Sequence, residues 1–176
     1  ERRLEKACEL LTASPFNVVP AAAPGQRRAL VTAGAPRNVV EAALERIGIS
    51  LPVLQLGALH PLPHELVVPF LRQYDEVLVV EELTPYLEDS LLAIAHHFAL
   101  STRIQGKRDG QMPWHFELEV PEVERRLRHF LRLESSQTEL SAAPPLSLPP
   151  RGPVLCAGCL HRNVFFAATS VFGAGA

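Results

Sequence analysis

No apolar run in this sequence approaches the roughly 20 consecutive residues that a bilayer-spanning helix requires, so an ordinary membrane anchor is excluded from it. Excess positive charge is missing too. Seventeen Lys and Arg stand against 19 Asp and Glu, a formal net charge of −2. Nucleic-acid proteins normally carry a basic stripe, and none is expected to bind here. Neither H-E-x-x-H nor G-x-S-x-G occurs, which removes the metalloprotease and serine-hydrolase chemistries that those motifs carry. There is no internal repeat and no N-terminal signal pattern, because the chain opens Glu1-Arg2-Arg3 and turns at once into an amphipathic helix. The compartment expected from this is the cytoplasm. A start at Glu rather than Met fits an internal piece of a larger enzyme.

Cysteine is scarce as well. Three residues, Cys8, Cys156 and Cys159, cannot build a disulfide framework. Two of them form Cys156-Ala157-Gly158-Cys159, a C-x-x-C turn that can aim two thiolates at one metal. A closed structural site needs four ligands, and no second pair follows. His161 and Arg162 next door add positive potential or a third ligand. Two readings stay open: a half-site completed by other cysteines, or two reduced thiols on a loop.

What the chain does contain is apolar residue in quantity, 47% of 176. A chain of this length buries about two-thirds of its unfolded surface, enough for one core and a second partial one. Leu4, Ala7, Cys8 and Leu11 stand at i, i+3, i+4, i+7 and predict a short helix that stops at Ser14-Pro15. Eleven residues do not fold alone, so residues 1–15 read as the end of an upstream domain or a linker helix.

From Ala29 the pattern is strand, turn, helix, repeated. Ala29 to Ala33 is an apolar strand ended by Gly34, and Val39, Val40, Ala43, Leu44 and Ile47 line a helix ended by Gly48. Val53 to Leu56 is the second strand. After Pro61-Leu62-Pro63, which favours extended backbone, Leu66, Val67, Phe70 and Leu71 make the next helical face. Glu76 to Val80 is a strand whose unbroken Val77-Leu78-Val79-Val80 suits burial on both faces. Thr84 is placed as an N-cap with Pro85 as first helical residue, ahead of a stripe of Leu87, Leu91, Ile94, Ala95 and Phe98. Thr102 to Gln105 is a fourth strand and Glu122 to Arg132 a last helix. This rhythm means βαβ units. The expected fold is an α/β three-layer domain with a mainly parallel sheet over residues 16–133. Residues 134–153, with Pro144-Pro145 and Pro149-Pro150, read as a linker, and residues 154–176 as the truncated start of another domain.

Two further spots invite chemistry. Gly34 between strand and helix suggests phosphate binding, but Thr32 to Asn38 holds one glycine, not G-x-G-x-x-G or a P-loop, and a tight turn accounts for it. Glu81 and Glu82 follow a strand's carboxyl end, where α/β sites lie. They could form an acid/base couple or touch a neighbouring domain. A helix N-terminus that favours negative charge accounts for Glu82. The histidines His60, His64, His96 and His97 are scattered and read as solvated or core-edge.

Several landmarks, in order, resemble the alpha subunit of indolepyruvate:ferredoxin oxidoreductase. Ser14-Pro15-Phe16-Asn17 is similar to the exit from that family's pyrimidine-binding domain. Val31-Thr32-Ala33-Gly34 with Val39-Val40-Glu41-Ala42 resembles the start of its transketolase C-terminal-like domain. Leu54-Gln55-Leu56-Gly57 and His60-Pro61-Leu62-Pro63 follow its pattern with His60 in place of a tyrosine. Val79-Val80-Glu81-Glu82-Leu83-Thr84-Pro85 with Leu87-Glu88 matches closely. Pro149-Pro150-Arg151 and Cys156 to Arg162 resemble the lead into its C-P-G-C-P-H-R motif, with Ala157 and Leu160 at the proline positions.

The resemblance implies an enzyme that oxidatively decarboxylates aryl pyruvates to acyl-coenzyme A and passes electrons through [4Fe-4S] clusters to ferredoxin. Thiamine diphosphate and Mg2+ are its cofactors. Its beta subunit and the neighbouring domains of the same chain are its partners. By the same resemblance Cys156 and Cys159 are metal ligands, and His161 and Arg162 belong to the cofactor site that opens the diphosphate-binding domain. The reactive parts of that family have no counterpart in these residues, so the piece is expected to be inactive, to hold no cofactor alone and to contain no catalytic residue. The other reading is a stand-alone α/β binding module with a C-x-x-C redox or metal-binding tail.

Overall fold

The computed structural model describes residues 2–21, 25–114, 117–133 and 158–173. The expected linker and Cys156 lie outside these residues. Contacts divide the chain into two units, Glu1–Ser136 and Gln137–Ala176, each taken by itself here.

In the first unit, β1 (Arg28–Ala33), α2 (Pro36–Ile47), β2 (Val53–Leu56), α3 (His64–Leu71), β3 (Glu76–Val80), α4 (Tyr86–His97), β4 (Arg103–Gln105) and α5 (Val120–Leu131) follow α1 (Arg2–Thr12). All three strand pairs are parallel, in the order β2-β1-β3-β4. The expected three-layer α/β domain is therefore what forms. Leu30 sits between Val53 and Leu78 in register, and Val31 between Leu54 and Val79. Side chains alternate across a strand, so the central strands supply two cores. On one face Leu30, Leu78 and Val80 meet Val40 and Leu44 of α2 and Leu127 and Phe130 of α5. On the other, Val31, Val77 and Val79 meet Val67 and Phe70 of α3 and Leu87 and Leu91 of α4. The chain steps from β1 outward to β2, then jumps back past β1 to β3. The carboxyl ends of β1 and β3 thus flank the point where strand order reverses, the usual crevice of such sheets.

Local signals explain the element ends. Gly48 closes α2 in the left-handed conformation, φ 74°, and its N–H donates to the carbonyls of Leu44 and Glu45. Gly34 has φ 70° with open space around it, a tight strand-to-helix turn as expected. Helix α1 packs beside α3: the Cys8 thiol donates to the Leu62 carbonyl at 3.3 Å, while Leu4 at the head of the expected stripe is exposed. After α1, Val18 and Gln55 exchange backbone hydrogen bonds, an antiparallel bridge on the outer edge of β2.

At the opposite, amino end of the sheet, Arg28 donates to Glu76 at 2.5 Å and Arg132 donates to it at 3.1 Å. Arg28 holds the Glu76 carboxyl below its usual pKa, against a smaller upward push from burial. A lowered acid contributes stability that is complete above the ordinary carboxylate pKa of about 4.3 and is lost as pH falls through the lowered value. Glu76→Gln is expected to cost about 1 kcal/mol near pH 7. Urea unfolding repeated at about pH 3 should show that gap much reduced, and a gap of undiminished size would remove the ion pair as its cause.

The second unit presents one described helix, α6 (Leu160–Phe172). It extends the expected 164–172 element by one turn toward its amino end. Its Val164, Phe165, Phe166 and Phe172 are all exposed.

Candidate functional site

Three charged side chains are buried together at the carboxyl edge of the sheet. Glu81 leaves β3 and is 7% exposed, Glu88 lies in the first turn of α4 at 1%, and Lys107 follows β4 at 2%. Charges rarely enter an interior unless something satisfies them. Here backbone amides do much of that work. The Glu81 carboxylate accepts the N–H groups of Leu87 at 2.8 Å and Glu88 at 2.9 Å. It therefore caps α4, and the expected N-cap is corrected. Thr84 makes no side-chain cap, and Pro85 takes the N-cap position with Tyr86 the first helical residue. The role given to Glu82 at the helix N-terminus belongs to Glu81; Glu82 instead reaches the N–H of Leu118 at 3.5 Å.

Glu88 faces the other way, into the turn after β4. Its carboxylate accepts the N–H of Lys107 at 2.7 Å and of Arg108 at 3.1 Å. Gly106 makes this approach possible, since a Cβ there would fall 2.7 Å from the Glu88 carboxyl carbon. The Lys107 ammonium donates to the Pro113 carbonyl at 2.5 Å, and the Trp114 indole N–H donates to the Lys107 carbonyl at 3.0 Å. Outside this cluster Arg108 binds both oxygens of Asp89, at 2.8 and 2.7 Å, and lies over the Trp114 ring. Burial pushes Glu81 and Glu88 above the usual carboxylate range and Lys107 below the usual ammonium range. Leu83, between the two acids and the helix, is held at φ 58° and is 72% exposed. A non-glycine residue there is uncommon, and such outliers persist where the surroundings over-determine them.

This cluster joins β3, α4 and residues 106–114 into one edge. It offers no nucleophile paired with a base. The place of Glu81 and Glu82 at a strand's carboxyl end makes them candidates from sequence; Glu88 enters there only within a family landmark, and Lys107 not at all. The available signal was Glu88 itself, a carboxylate between Leu87 and Leu91 on a stripe otherwise apolar.

Of the expected site residues, Cys159, His161 and Arg162 are described and Cys156 is not. Cys159 stands immediately before α6, with its sulfur 3.3 Å from His161 Nδ1, while His161 and Arg162 lie exposed in the first turn of α6. Among the described residues no three His, Cys, Asp or Glu side chains gather at a metal-sized site. One thiol and one imidazole fall short of the four ligands a cluster or structural zinc takes. No helix among the described residues is long and apolar enough to cross a membrane.

The sheet order defines the chain's class, an α/β domain built on a four-stranded parallel sheet. A 2-oxoglutarate:ferredoxin oxidoreductase from Magnetococcus marinus, solved with 2-oxoglutarate, coenzyme A and succinyl-CoA bound, shares this fold. Its TM-score is 0.51 at 15% identity, over 73% of this chain and 22% of that one. No protein-family model matches the sequence. Curated relatives do. The indolepyruvate oxidoreductase subunit IorA of Methanothermobacter thermautotrophicus is 37% identical over 138 residues, 78% of this chain. That of Thermococcus kodakarensis is 31% identical over 180 aligned positions, 97% of this chain. The chain belongs to the indolepyruvate oxidoreductase alpha-subunit family, and it spans 22 to 27% of the length of the relatives it matches.

Proposed function

We propose that this chain is a scaffold and packing part of an indolepyruvate:ferredoxin oxidoreductase, an enzyme that oxidatively decarboxylates aryl pyruvates to acyl-coenzyme A. Residues 16–133 are its transketolase C-terminal-like domain. Residues 1–15 are the tail of the pyrimidine-binding domain or a linker helix. Residues 134–153 are a linker, and 154–176 open the domain that holds the diphosphate of thiamine diphosphate with Mg2+. The observation that carries this reading is the Thermococcus match, which runs across 97% of the chain at 31% identity and so spans both units. Cys156 and Cys159 supply two thiolates toward a [4Fe-4S] cluster whose other ligands lie elsewhere. His161 and Arg162 place positive charge at the start of α6, beside the diphosphate. The beta subunit, ferredoxin and coenzyme A are partners of the assembled enzyme in the cytoplasm.

The first unit agrees with a supporting role. Its buried ions are engaged by backbone groups and each stiffens a junction between elements. The purified chain is expected to show no thiamine diphosphate binding by calorimetry and no viologen reduction with a 2-oxoacid. Micromolar binding of the cofactor to the chain alone would refute the division of labour. In the whole oxidoreductase, Cys159→Ser is expected to lower iron content and 2-oxoacid-dependent viologen reduction together. Unchanged iron would remove Cys159 from the cluster.

A further inference from the structure

A surface pocket of about 390 Å³ opens between α3 and α4, on the face away from α2 and α5. Buried Leu62 and Ile94 line it, with half-buried Phe98 beside them. Its lack of charge sets it apart. Charged residues make up 20% of this chain, yet none of the 11 residues that line the pocket is Asp, Glu, Lys or Arg. The polar groups in its wall engage one another. Ser90 Oγ donates to the Tyr86 carbonyl at 2.8 Å, and Tyr86 Oη lies 3.3 Å from His60 Nδ1. The His64 and His97 rings both meet Phe98 edge-on, at centroid distances of 5.8 and 4.7 Å. Half-exposed Tyr86 carries the pocket's edge to the amino end of α4, where Leu83 stands largely exposed.

A small polar ligand would find little here to orient it, because such sites rely on a few free, well-placed polar groups among apolar walls. Uncharged surface with aromatic side chains is instead the composition of a protein interface at its core, where charged residues are depleted. Permanent interfaces are the more hydrophobic ones, and a domain tethered to its partner meets it at high effective concentration. Length supplies the occupant. These residues span 22 to 27% of the relatives they match, so most of that family's polypeptide is left to cover this face. We infer that the α3–α4 pocket is a socket for apolar side chains from another domain of the same polypeptide, outside these 176 residues. The inference rests on the reading of this chain as part of a longer oxidoreductase subunit, and it adds the face through which the first unit packs.

Ala93 is exposed and lines the pocket, so it can report on what covers this face. Ala93→Cys is introduced into the 176-residue chain and into the whole oxidoreductase, and maleimide labelling of that position is timed by peptide mass spectrometry. Labelling is expected to be at least about tenfold slower in the whole enzyme, and equal in both once urea unfolds them. A photo-activated diazirine amino acid in place of Ala93 then identifies the cover. In the whole enzyme it should cross-link to its own alpha subunit, beyond the 176 residues, and give no product of doubled mass. Equal labelling rates in chain and enzyme would overturn the assignment, as would protection already present in the chain alone. A cross-link to the beta subunit, or to a second alpha subunit in a product of doubled mass, would give the face to another partner and overturn it as well. The oxidoreductase reading is tested separately, by 2-oxoacid-dependent viologen reduction in the unsubstituted enzyme, so either can fail without the other.

Discussion

Replacing Glu88 by alanine is expected to lower the unfolding free energy by about 3–5 kcal/mol, a large share of the 5–15 kcal/mol that a domain possesses. The carboxylate is 1% exposed and accepts the amides of Lys107 and Arg108. Truncation strips both amides of their acceptor at a place closed to water, at about 1–3 kcal/mol each. It also takes one of the two buried carboxylates away from the Lys107 ammonium, leaving Glu81 and the partly exposed Glu82 as counter-charge. Glu88→Gln keeps the shape and one acceptor oxygen while removing the charge, so its cost should be nearer 1 kcal/mol. The pH dependence follows from the direction of the shift. Burial raises the Glu88 pKa in the folded state, so its protonated form is favoured there. That contribution is present below the ordinary carboxylate range and lost as pH rises through the raised value. The native chain should therefore gain on Glu88→Gln as the solution is acidified from neutrality. Urea unfolding at several pH values measures both effects, and a Glu88→Ala loss under about 1 kcal/mol would mean that the cluster is not closed to water.

The same cluster marks where sequence reading stopped. The strands and helices of the first unit were legible in the sequence, most of them from apolar patterns, several punctuated by Gly34, Gly48, Gly57 or Ser14-Pro15. Val77-Leu78-Val79-Val80 declared a strand buried on both faces, and the structure leaves all four no more than 1% exposed. Local chemistry at the α4 N-terminus was less legible. Thr84-Pro85 is a good cap by composition, but the buried carboxylate of Glu81 reaches the amides of Leu87 and Glu88 and fills the role. A side chain several residues upstream can do that only because β3 ends pointing at the helix, and this is tertiary information. Lys107 was invisible for the same reason. Nothing in Gln105-Gly106-Lys107-Arg108 says that one cation is interior while the next lies over Trp114 and pairs with Asp89. Gly106 was the one local hint, since glycine beside a strand end often permits close approach. In the C-x-x-C region the spacing of Cys156 and Cys159 was plain from the sequence. Its ligand count was not, because a cluster's remaining donors can come from anywhere in a folded chain.

If the periodic pattern is what carries the fold, its most central residue should be the most sensitive to truncation. Leu78 is fully buried in β3, paired with Leu30 of β1 on one side and Gln105 of β4 on the other. It belongs to the core between the sheet and helices α2 and α5, with Leu127 and Phe130 in the same cluster. Hydrogen bonds to two neighbouring strands hold its backbone, so the space left by Leu78→Ala has little means of closing. Truncations of this kind cost about 2.7–5.0 kcal/mol, rising with the residual cavity, and Leu78 should fall in the upper half. For a domain of this size each kcal/mol moves the melting point by roughly 4 °C, so a fall of about 15 °C is expected by calorimetry. Leu78→Met, which nearly conserves volume, should cost under about 1.5 kcal/mol. Leu92→Ala on the exposed side of α4, at 39% exposure, should stay within about 0.5 kcal/mol. Similar losses at Leu78 and Leu92 would mean that burial in the central strand does not set the stability of this domain.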